Sequence, residues 1–229
     1  RASLRGISNL KKTAPTGAGL KAALLTTASL LVTAPVAPEV HAQTCPSGGV
    51  TVSGTTCTAT LNGSLSTPFR LDGNNLNVTT NGTATAPAGN IVIDATKNSN
   101  LPPNDNINLT NNANLTVTGT ATDSGLAIRF SNATNSQITN NANINTDGQA
   151  ILFSGGTGSV TNNGTITNTS ATSQGAALSA QSFSGTVDNT GTIYTTASGV
   201  SVIGAADNTA NNSGSITIDR DPRLGGAFG

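Results

Sequence analysis

From Leu109 onward the aliphatic residues are sparse, yet they return in one fixed setting. Five segments share it: LTNNANL from Leu109, ITNNANI from Ile138, VTNNGTI from Val160, VDNTGTI from Val187 and ANNSGSI from Ala210. The third residue is always Asn (Asn111, Asn140, Asn162, Asn189 and Asn212), the fifth is Gly or Ala, and the seventh is aliphatic. A second segment follows four of them: GLAIRF from Gly125, GQAILF from Gly148, GAALSA from Gly175 and GVSVIG from Gly199. Its aliphatic fourth residue lies 8 to 10 positions before the next first segment, whereas the opposite connection varies from 4 to 10. First segments recur at intervals of 22 to 29 residues.

A repeat of this length, with one connection nearly constant and the other variable, predicts stacked coils. In a parallel β-solenoid each coil rises by the strand spacing, about 4.8 Å, and pairs its backbone with the coils above and below. Aliphatics at equivalent positions then form interior columns, and five Asn in register form a ladder of side-chain amides inside one corner. Asn also tolerates the left-handed backbone that a corner needs. One coil could not stand alone. About four buried aliphatics at roughly 1.5–3 kcal/mol each do not offset the roughly 25–50 kcal/mol of backbone entropy lost by about twenty-five residues. The contacts between coils must supply the stability. The expected fold is all-β: an elongated right-handed parallel β-helix (β-solenoid) with triangular coils over residues 109–218, preceded over 43–108 by an irregular N-terminal cap and atypical first coils. Residues 219–229 read as a linker or a truncated next coil, and an open strand edge near Ile216 would favour association with other chains.

Composition sharpens this picture. Only 9% of the 229 residues are charged and the formal net charge is zero, so the chain lacks the high net charge that marks disorder. Thr favours strands, while Asn and Gly favour turns. Residues 1–42 are different material. Arg1, Arg5, Lys11, Lys12 and Lys21 precede the uncharged run AALLTTASLLV from Ala22, which is shorter than the roughly 20 residues of a membrane span. Val40-His41-Ala42 fits a signal-peptidase site, so the stretch reads as a secretory signal peptide. After it, five basic residues face nine Asp, a net charge of −4. That balance, with scattered Arg, argues against nucleic-acid binding, which wants a basic stripe. Cys45 and Cys57 are the two cysteines, and in an exported chain they read as one disulfide closing an N-terminal loop.

Candidate chemistry is thin. Neither His nor Glu occurs after residue 42, so acid–base catalysis would have to rest on Asp. Asp123 and Asp147 each precede a second segment and would emerge on one flank, one coil apart, at about the 5 Å separation of a glycosidic acid pair. A pair of Asx turns before Gly is the stronger reading. No catalytic, cofactor or metal residues are assigned; the calcium-binding nonapeptide is missing, although GGTG from Gly155 has similar glycines. TVT from Thr116 and TIT from Thr165 raise the thought of ice binding, but coils of 22 to 29 residues are expected to place their threonines unevenly.

A long leader followed by N-x-G-x-I and G-x-A-I repeats resembles the N-terminal part of a bacterial autotransporter (type V secretion) passenger. The resemblance covers the leader and about residues 109–218. It implies secretion across the inner membrane and a place at the cell surface, on the outer membrane or outside the cell. It also implies a C-terminal outer-membrane barrel, which this chain does not contain. The implied role is structural or adhesive, toward cells or matrix. The expected partners are surface molecules of host or neighbouring cells, with no nucleic acid, and with membrane contact only through that barrel. The alternatives are an exported polysaccharide-acting β-helix enzyme and an ice-binding or surface-layer solenoid.

Overall fold

The computed structural model describes residues 43–87, 89–96, 104–118, 125–169, 176–204 and 207–219. They belong to one compact unit, Val40–Gly229. Residues 1–42, read above as a signal peptide, and residues 220–229 lie outside the described residues. The described strands join in one seventeen-stranded sheet, with no helix among the described residues. Their parallel pairings wind the chain into a β-solenoid of about six turns.

Each full coil has three faces. The first is built from 77–80, 108–111, 137–140, 159–162, 186–189 and 209–212, each in register with the next. The second runs through 83–87, 114–118, 144–146, 165–168, 192–195 and 215–218. The third comprises 69–71, 91–96, 126–131, 149–154, 176–181 and 198–203. The coils before residue 109 follow the same register, since Thr56–Ser64 pairs residue for residue with 77–85. Their irregularity lies in what they carry: Ala59 and Thr80 stand where later coils place Asn.

The nearly constant connection turns out to be unbroken strand. Leu126–Asn140, Gln149–Asn162 and Ala176–Asn189 each pass from the third face to the first. Each corner has a left-handed residue at one equivalent position, Asn132 (φ 56°), Gly155 (φ 71°) and Ser182 (φ 50°), and further positive-φ residues follow it, among them Asn135, Gly156 and Gly185. The first of these strands is one residue longer, and a register shift opposite Gly156 and Gly158 absorbs the surplus as a bulge. Of the three corner residues only Ser gains nothing from this conformation, which costs an ordinary side chain about 1–2 kcal/mol. Replacing Ser182→Asn is expected to raise stability by up to about 1 kcal/mol, measured as an increased urea midpoint.

Period-two alternation sends every second residue inward. Val78, Leu109, Ile138, Val160 and Val187 stack behind the first face, and Ala84, Leu115, Ile144, Ile166 and Ile193 behind the second, all buried. Behind the third face Phe130 and Phe153 occupy successive coils, with ring centroids 5.7 Å apart. The next coil has Ala180 in that column, and Phe183 enters from the corner to sit 4.8 Å from Phe153. The small fifth residue of the first segment has a steric cause: a Cβ on Gly191 would lie 2.1 Å from the Gly164 carbonyl oxygen of the coil below.

Candidate recognition faces and side-chain ladders

The five repeated asparagines form one ladder inside the corner between the first and second faces. Asn111 Nδ2 donates to Asn140 Oδ1 at 2.8 Å, Asn140 to Asn162 at 2.8 Å, Asn162 to Asn189 at 2.8 Å and Asn189 to Asn212 at 2.7 Å. Each Nδ2 spends its second hydrogen on the carbonyl two residues on, as Asn140 does to Ala142 at 2.9 Å and Asn162 to Gly164 at 3.2 Å. The Thr80 hydroxyl starts the ladder, donating to Asn111 Oδ1 at 2.7 Å. From Asn111 to Asn189 these amides are buried, and every one has its hydrogens placed. Such groups would be costly to bury otherwise.

A second array lies outside, on the first face. Thr58, Thr79, Thr110, Thr139 and Thr161 occupy one column in register. Two residues along each strand, Asn112 donates to Asn81 (3.3 Å), Asn141 to Asn112 (3.0 Å) and Asn163 to Asn141 (2.8 Å) in an exposed ladder. On the other flank Asn108 donates to Asn77 at 2.9 Å. The expectation of uneven threonines, raised on TVT and TIT, does not extend to this face. Unequal coil lengths do not disturb the column, because the first face pairs without a shift and the surplus residues fall between other segments, such as Thr118 to Gly125. The threonines singled out from TVT and TIT are on the second face instead, where Asn145 and Tyr194 interrupt their column.

A third ladder is ionic and crosses three coils of the third face, where Arg70, Asp94 and Arg129 are in register. Arg129 grips Asp94 with two bonds of 3.0 Å, Arg70 Nη1 reaches it at 3.2 Å, and the Thr96 hydroxyl donates to it at 2.5 Å. Arg70 Nε also donates to Asp72 at 3.1 Å, and that bond holds the guanidinium pKa above its usual value against the opposing effect of burial. The Asp94 side chain is 1% exposed. Burial works to raise its pKa, but the bonds from Arg129 and Thr96 and the charges of Arg129 and Arg70 outweigh it, leaving the carboxyl below its ordinary value. A carboxyl depressed in this way contributes stability that is complete above its unfolded pKa and is lost as pH falls through the folded one. Below about pH 4 the unaltered chain is therefore expected to lose stability more steeply than Asp94→Asn, read from urea midpoints across that range.

Of the acid pair, Asp147 sits in the turn between the second and third faces, and Asp123 lies outside the described residues. In that turn the Gly148 amide is held by the Thr146 hydroxyl, at 3.0 Å. Cys45 and Cys57 are joined in a disulfide, with Cα atoms 5.1 Å apart. Their strands also pair, since residues 43–44 lie beside 57–58, so the bond staples the first coil to the next. No group of three or more potential metal-ligating side chains occurs among the described residues. The sequence reading missed the ionic ladder, although Arg70, Asp94 and Arg129 each stand between inward-facing residues in FRL, IDA and IRF. Compared with protein-family models, curated proteins and solved structures, the chain finds no match in any of the three.

Proposed function

We propose that this chain is an exported β-solenoid of the autotransporter-passenger kind, which stands at the cell surface as a structural or adhesive protein toward cells or matrix. The observation that carries the reading is the Cys45–Cys57 disulfide at the first coil, because such bonds persist in oxidising compartments. The basic leader with its short apolar run and Val40-His41-Ala42 supports the same route. A stack of coils bound by its own ladders makes a stiff support for whatever meets the partner.

Expression with the leader intact in a Gram-negative host is expected to yield a protein beginning at Gln43, with both cysteines oxidised, as read by intact mass. An uncleaved, reduced product in the cytoplasm would defeat the export part of the proposal. Beads coated with the mature protein are expected to retain host or bacterial cells above an uncoated control. Equal retention on both would defeat the adhesive part.

A further inference from the structure

The outer array on the first face has a property that adhesion to a cell does not require. Across the five coils from Thr56 to Asn163, its outward positions carry only Thr, Asn, Gln and Ser; the first ionisable residue is Asp188, in the coil that follows. Four steps of about 4.8 Å make this neutral array about 19 Å long, and outward residues two apart on a strand add a second spacing of about 6.7 Å. The amide ladder fixes the asparagine rotamers from coil to coil, at 2.8 to 3.3 Å. Thr is stiff at χ1 because it is branched at Cβ. The surface is therefore a two-dimensional lattice of hydroxyls, methyls and amides, ordered before any partner arrives.

We infer that the first face binds ice, holding water in the positions of a crystal lattice through the threonine column and the outer amide ladder. Three features select this occupant. A charged polymer gains no steering or pairing from a face without ionisable groups. A protein partner would seek aromatic or Arg anchors at the centre of its interface, and these five coils of the face offer none. A neutral, periodic, hydrogen-bonding solid suits them. Rigid hydroxyls and amides hold bridging water at little entropic cost, since little side-chain freedom remains to be lost. The inference needs neither export nor adhesion, so it stands or falls apart from the proposed function.

The test is thermal hysteresis of the full chain by nanolitre osmometry, with partition into slowly grown ice as a second readout. The expected result is measurable hysteresis and enrichment in the ice fraction. The double variant Thr110→Lys/Thr139→Lys is expected to abolish both while keeping the β circular-dichroism spectrum. Thr139→Tyr adds bulk without charge and is expected to lower both, which covers the case in which the lysines disturb folding. Thr167→Lys, on the second face, is expected to retain both. Exclusion of the unaltered chain from ice with no hysteresis overturns the inference, as does equal loss in Thr167→Lys. Retention on crystalline cellulose or chitin without ice activity overturns it as well.

Discussion

Replacing Asn162→Leu is expected to destabilise the solenoid by about 2–6 kcal/mol, taking two buried polar groups at roughly 1–3 kcal/mol each. Both are identifiable. Asn140 Nδ2 loses the acceptor it meets at 2.8 Å and Asn189 Oδ1 loses its donor at 2.8 Å, whereas the Gly164 carbonyl loses a bond of 3.2 Å but keeps the Thr192 amide at 3.0 Å. Leu keeps the branched outline of Asn with the same number of side-chain heavy atoms, but its methyl groups are bulkier, so some overpacking adds to the lost hydrogen bonds. Thr161→Ala, one residue away and half-exposed, is the control, and it should stay within about 0.5 kcal/mol. Urea unfolding followed by circular dichroism reads both. An Asn162→Leu protein within about 1 kcal/mol of the unaltered chain would mean that the ladder does not determine stability.

Phe153→Ala is expected to cost about 3–5 kcal/mol, the range for deleting a buried aromatic side chain. Phe153 is fully buried and stands between two rings, 5.7 Å from Phe130 and 4.8 Å from Phe183. Its loss opens a void that the coils cannot close, because their spacing is set by backbone bonds along the whole stack. Phe153→Leu keeps much of the volume and should cost distinctly less, about 1–2 kcal/mol. Equal effects from the two substitutions would assign the energy to the ring contacts and not to the filled space.

What could be read from the sequence was whatever repeats in kind. The asparagines of the inner ladder and the aliphatics at the seventh position recur as the same residue type because each must meet its own like in the next coil. The ionic ladder could not be found that way. Arg70, Asp94 and Arg129 alternate in sign, and a column whose members must differ leaves no repeat to find. The threonine array was half legible. Thr110, Thr139 and Thr161 stand in the T-N-N of three segments, but Thr58 and Thr79 precede Ala59 and Thr80. The early coils lack the asparagine that would have aligned them, and backbone register alone extends the column to them.

The inner ladder also has a direction. Every link runs from Nδ2 in one coil to Oδ1 in the next, from Asn111 to Asn212, so the amide dipoles align head to tail as peptide dipoles do along a helix. That corner therefore carries an electric axis. Its negative pole lies toward the Thr80 end, where a hydroxyl proton meets it, and its positive pole lies at the Asn212 amide. A coil laid on the Asn212 end is welcomed if it brings a carbonyl or carboxylate oxygen to that corner, and a lysine there is repelled. The two ends of this ladder thus differ in polarity.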